Sequence, residues 1–253
     1  MFYTLGGILE KYQILSKAPI TEALIDIRVK LSPELDVRQI DSIYESIRNE
    51  YPQKQEQRIS QVQVEQKPGE NILRSSSKIN GYRYISSDKK QIVQARLDGF
   101  ILSRLYPYVT WEELRSEAHR LWLLYKKVTS PDLIIRVALR YINNLNIPMP
   151  IRDFSDFLTA PPIVPEGLPQ GVSSFLTRVV MHEPSIGANA IITQALEQIA
   201  TDVAPIILDI DVFRLQPEGI EEKDAWDTIE KLRHFKNQIF FQSITDKLKE
   251  MYK

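Results

Sequence analysis

The feature that most constrains this chain is a strict two-residue alternation, in which Ile25, Ile27, Val29 and Leu31 are separated by Asp26, Arg28 and Lys30. Side chains two apart on a strand share a face, so the segment predicts a strand with one buried and one charged side, ended by Pro33. A sheet of such strands needs a cover for its apolar face. The sequence TWEELRSEAHRLWLLYKKV supplies one, because Thr110 can cap a helix in which Trp111, Leu114, Ala118, Leu121, Trp122 and Tyr125 recur at helical spacing. Between these segments, Asp36 caps a predicted helix through Val37, Ile40, Tyr44 and Ile47 that Pro52 stops. Three strand-like stretches follow: Arg58 to Gln66, a hairpin region around Gly69 and Gly81, and Gln91 to Tyr106. The pattern is α+β, an antiparallel meander with helices covering it.

After Pro131 the order begins again. Residues 132–143 read as a strand, Asp153 to Leu158 as a short helix, and 172–183, 187–196 and 203–215 as three more strands, before a long helix from about Lys223 to Tyr252. EALIDIRV is answered by IIRVALRYIN, and the first closing helix by DAWDTIEKLRHFKNQIFF. The chain therefore reads as a tandem β-α-β-β-β-α duplication, with halves at 1–130 and 131–253 packed as one compact unit. Residues 146–170 hold six of the 15 prolines, which predicts an extended connection there.

Composition excludes more than it proposes. At 253 residues and 43% hydrophobic content the chain can bury a core without a metal or disulfide staple. Its 32 basic and 33 acidic residues nearly cancel, which disfavours nucleic acid as a bulk partner. The absence of cysteine removes disulfides, thiolate nucleophiles and cysteine-ligated metals. In the opening residues Glu10, Lys11 and Lys17 interrupt the apolar stretches, and nothing downstream approaches the length of a membrane span. The expectation is a cytoplasmic protein with no membrane contact. No P-loop, dinucleotide fingerprint or nucleophile elbow occurs, and 9 glycines leave little from which to build phosphate-cradling loops.

Four stretches carry a family resemblance: TEALIDIRV within residues 18–29, ALRYINNLNIP at 138–148, ILDIDVF at 207–213 and LRHFKNQIFFQSITDKL at 232–248. In their order and spacing the chain resembles a sporadically distributed bacterial family of proteins that have no assigned activity. The resemblance spans nearly the whole chain. It implies a stand-alone bacterial protein of the kind found among mobile or defence-related genes, and it carries over no catalytic residue.

Among the polar residues, Asp209 and Asp211 stand on one face of a predicted strand while Leu208, Ile210 and Val212 take the other. Such a pair suits Mg²⁺ or Mn²⁺, with Glu22 and Asp26 as further ligands if the first strand lies alongside. The competing expectation is that these aspartates pair with Arg28, Arg136 or Arg140 across the sheet. Arg136 and Arg140 also share a face, with Ala138 between them and Asn144 continuing the line, and two guanidiniums there suit a carboxylate or phosphate ligand. None of His119, His182 and His234 has metal-site spacing. His234, with Lys236 and Asn237, marks the most promising polar helix face. Gly81-Tyr82-Arg83-Tyr84 reads first as a hairpin strand, its tyrosines being a base- or partner-stacking alternative.

Two functions compete on this basis. One is a non-catalytic binding or regulatory module with a protein partner, which needs no cofactor. The other is a metal-dependent enzyme acting on a phosphorylated or nucleic-acid substrate through Asp209 and Asp211. Phe235, Ile239, Phe240, Phe241 and Ile244 crowd more than one side of the last helix, which suggests either core burial or a homodimer surface.

Overall fold

The structure, a computed structural model, describes residues 12, 14–67, 70–198 and 202–253, with only the backbone for 61–67 and 70–75. Gly69 and the opening segment with Glu10 and Lys11 fall outside the described residues. The first half runs β1 (Ile20–Lys30), α1 (Val37–Ile40), α2 (Ile43–Ile47), β2 (Gln53–Lys67), β3 (Glu70–Ile85), β4 (Gln91–Arg96), β5 (Gly99–Leu105) and α3 (Trp111–Thr129). The second runs β6 (Leu133–Pro148), β7 (Phe175–Glu183), β8 (Ala188–Leu196), β9 (Val203–Ile220), α4 (Glu222–Ser243) and α5 (Asp246–Glu250).

The nine strands of the described residues form one antiparallel sheet in the order β2-β3-β4-β5-β1-β6-β9-β8-β7. The centre is β1 against β6, with Asp26 opposite Ala138. Outward from it, the first half places the last strand of its meander next to β1, and the second half places β9 next to β6. The halves nevertheless differ. The first contains four strands after its helices where three were expected: Gln91 to Tyr106 divides at a turn into β4 and β5, while the stretch expected at Arg58 to Gln66 forms the longer edge strand β2 paired along β3. The second replaces α1 and α2 with a single 3₁₀ turn at Phe154–Asp156. The proline-rich connection starts later than expected, since β6 runs through Pro148.

The alternation is reproduced for Ile25, Ile27 and Val29, which with Ala23 are buried on the helix-covered face, whereas Leu31 falls just past β1 and is only partly buried and Asp26 on the charged side is itself buried. Helix α3 forms where its stripe predicts. Its cap Thr110 accepts a hydrogen bond from the Glu113 N–H at 3.2 Å, and left-handed Ser130 ends it. All six predicted stripe residues are buried, and Phe100 of β5 meets the Trp122 and Tyr125 rings 6.2 and 5.9 Å away. Truncating Trp122 would remove about 3–5 kcal/mol. Tyr82 and Tyr84 of the GYRY segment also enter this core. Gly81 permits the close strand approach there, because a Cβ would lie 2.2 Å from the Ala95 carbonyl oxygen.

Two of the predicted helices are interrupted, the first by local hydrogen bonding and the last by a distant segment. Asp36 and Gln39 form a reciprocal capping box for α1. The Ser42 hydroxyl then donates to the Gln39 carbonyl at 2.7 Å, and α2 starts anew. At the other end, Ile244 is extended and bridges Leu158, while the Thr245 N–H donates to the Phe157 carbonyl at 3.0 Å. The proline-rich connection thus takes over backbone groups that a continuous helix would have used. Phe235, Ile239, Phe240 and Ile244 lie in the chain's own core, with Phe241 packed against it. No described helix is long and apolar enough to cross a membrane.

Candidate functional site

The charged side of the alternation forms a lattice on the sheet face opposite α3 and α4. Strand and turn residues alone line a concavity of about 500 Å³ there. Asp26, only 6% exposed, accepts hydrogen bonds from Arg28 Nε at 3.0 Å and Arg136 Nη1 at 2.7 Å. Arg136 reaches Asp211 at 3.3 Å and lays its guanidinium over the Phe213 ring, 4.6 Å from the centroid. Arg140 stands opposite Asp211 in register but turns to Asp209, which it grips in a fork of 2.8 and 2.5 Å. Asp98 closes the array by pairing with Arg28 and approaching Arg96 at 3.1 Å.

Four carboxylates therefore meet four guanidiniums. The Arg140 guanidinium is held further above its usual range by its hydrogen bond to Asp209. For Arg28, burial pulls downward, but the charges of Asp26 and Asp98 overcome it. Burial lifts the Asp211 carboxyl above the usual aspartate range, against the pull of Arg136 and Arg140. The predicted anion-binding arginines and the predicted cation-binding aspartates thus face one another. Among the described residues, no three Asp, Glu or His side chains converge as a metal site would require.

A different arrangement lies on the helix-covered side. A partly open cavity of about 560 Å³ is lined by Tyr12, residues 14–20, the β5–α3 turn, β6 and α4. The spacing of Arg233, Lys236, Asn237 and Phe240 puts them on one stripe of α4, facing Tyr141 and Asn143 on the inward side of β6. Lys236 is 8% exposed and has no carboxylate partner among the described residues. Its Nζ instead sits 3.8 Å from the centroid of the Tyr141 ring. The Tyr141 hydroxyl is hydrogen-bonded to that of Tyr108 at 2.9 Å.

Burial pushes the Lys236 ammonium down to about 7, and the positive charge of Arg233 adds to the effect. Burial also raises the Tyr141 phenol well above its usual range, which keeps it protonated. Arg233 is only loosely matched, at 3.7 Å from Glu112 and 3.8 Å from Glu230, with its guanidinium 5.3 Å from the Trp111 ring centroid. Chemically, the cavity offers aromatic walls, a hydroxyl pair, three basic side chains in Lys17, Arg233 and Lys236, and a single carboxylate in Glu112. An organic anion suits it better than a metal ion.

Of the residues expected from sequence, Asn237 lines this cavity and His234 does not; His234 is exposed on another side of α4. His119 and His182 are exposed too, the first against the Trp226 ring and the second bonded to Asn189 at 3.2 Å. Nothing in the local sequence marks Tyr108 or Tyr141 as part of a site. Lys236 was noted only as a neighbour of His234. A signal for it existed, because Lys236 interrupts the apolar run Leu232, Phe235, Ile239, Phe240 on the buried stripe of α4. No family model matches the chain, and no curated protein does.

Proposed function

We propose that this chain is a binding module whose working site is the cavity beneath α4, and that the cavity takes a small organic anion with an aromatic or apolar body. The observation that carries this reading is Lys236, a buried cation left without a carboxylate among the described residues at the wall of an aromatic cavity. Burying an unpaired charge destabilises a fold by several kcal/mol, so an anion entering the site recovers part of that penalty on binding. A cavity of about 560 Å³ suits a small molecule. The balanced net charge and the missing catalytic motifs support binding over the metal-dependent alternative, as does the pairing of Asp209 and Asp211 with arginines.

Tryptophan and tyrosine fluorescence, titrated with a panel of aromatic carboxylates, tests the reading, since Trp111 and Tyr108 line the cavity. The expected result is saturable quenching by at least one carboxylate, weakened roughly ten-fold or more in Lys236→Met, equivalent to about 1.4 kcal/mol. Equal affinity of the variant and the natural chain would remove Lys236 from the site and the proposal with it.

A further inference from the structure

We infer that Lys236 is a nucleophilic amine, and that the anion this cavity is built for carries a carbonyl group, an oxo-acid that the lysine captures as an imine. The inference rests on the cavity being a ligand site and adds covalent chemistry to it. Four features point the same way. The amine is buried at the cavity wall with no described carboxylate to hold it as an ammonium. Burial disfavours its protonated form, the charge of Arg233 adds to that, and together they leave much of it neutral near pH 7. Arg233 is bound to Glu112 and Glu230 only at 3.7 and 3.8 Å, so its donors remain open to a ligand carboxylate. The Tyr108–Tyr141 hydroxyl pair, 2.9 Å apart, supplies a protonated donor for a carbonyl oxygen.

The chemistry balances without an oxidant or reductant. The Nζ lone pair forms a bond to the carbonyl carbon as the C=O π pair moves onto oxygen. A proton passes from nitrogen to that oxygen, giving a carbinolamine. Nitrogen then forms C=N as the hydroxyl group leaves with a proton, so that amine and carbonyl become imine and water. When protonated, the product is again a cation, and it would occupy the place over the Tyr141 ring face where the ammonium now sits. The ring therefore favours the captured state as well as the free lysine.

The test uses the full chain at pH 7 with pyruvate or glyoxylate and sodium cyanoborohydride, which reduces a protonated imine to a stable secondary amine, followed by intact mass and peptide mapping. The expected result is one dominant adduct on Lys236, formed at least ten-fold faster than on any exposed lysine and slowed by lactate or benzoate, which bring a carboxylate but no reactive carbonyl. Because mapping is done on the natural chain, the test does not depend on a variant that folds. Fluorescence quenching by benzoate with no preferential adduct on Lys236 would overturn the imine and leave the binding proposal standing. No quenching and no preferential adduct would overturn both. Equally fast labelling by a neutral aldehyde, unaffected by lactate, would overturn the oxo-acid as the ligand class.

Discussion

The two faces of the sheet handle charge in opposite ways. On the open face, four arginines are matched to four aspartates, and the most buried of these, Asp26, receives two guanidiniums. On the helix-covered face, Lys236 is buried with an aromatic ring as its only close partner among the described residues. Matched charges in a sheet need no ligand to explain them; they keep charged residues on a half-buried surface at small net free energy. An unmatched buried cation beside a cavity calls for an explanation, and a bound anion supplies one. The contrast teaches that density of charged residues is a poor guide to a site. The state of pairing is the better one.

The sharpest way to break this comparison is to make the open face resemble the cavity. Asp26→Asn leaves Arg28 and Arg136 without their shared carboxylate while they remain largely covered, and should destabilise the fold by about 3 kcal/mol, read from urea denaturation. A loss below about 0.5 kcal/mol would show that the lattice is no more than a solvated surface.

The converse change removes the unmatched charge. With the Lys236 ammonium at about 7 in the folded chain against an ordinary 10.5, the unfolded chain binds a proton between those values that the folded chain does not. Stability contributed at this position therefore rises with pH across that window, and the full penalty of the buried ammonium is felt below it. The displacement from the ordinary lysine value corresponds to several kcal/mol, and relaxation of the surroundings around a buried charge reduces what is felt to about half of that. Lys236→Met should accordingly be more stable than the natural chain by roughly 2–3 kcal/mol at pH 6. That advantage should shrink toward zero by about pH 10, as thermal melts across the pH range would show. A pH-independent difference would mean that packing, not charge, separates the two.

The smallest effect is expected at the rim of the lattice. Arg140 and Asp209 have side chains 42% and 16% exposed, so Arg140→Ala should remove only about 1 kcal/mol by the same urea measurement. A loss as large as that of Asp26→Asn would merge rim and centre into one cooperative network.

Much of the fold is legible in local pattern. Alternation in β1 identified Ile25, Ile27 and Val29 as buried but not the burial of Asp26, and the α3 stripe was recovered residue for residue, because periods of two and about 3.6 residues are imposed by backbone geometry. The ion partners were also within reach: residues of one parity on neighbouring strands share a face, so the arginines and aspartates were natural candidates for one another. What pattern missed were features decided by distant segments. The helix break at Ile244 depends on backbone partners at residues 157–159, more than eighty positions away. Gln91 to Tyr106 reads as a single strand, and the turn that divides it into β4 and β5 is held by backbone hydrogen bonds to Asn80 and Val29 on other strands.

The candidate site divides in the same way. The sequence by itself determined that Lys236 and Asn237 would share a helix, and helical spacing sets Arg233 rather than the expected His234 on their stripe. Only the tertiary structure decided that this stripe meets Tyr141 from β6 and Tyr108 from the β5–α3 turn, and that His234 two residues earlier looks away. The reason is physical: a lysine's ionisation depends on how much water and how many carboxylates surround its Nζ. Those surroundings are assembled here from segments more than one hundred residues apart in the chain.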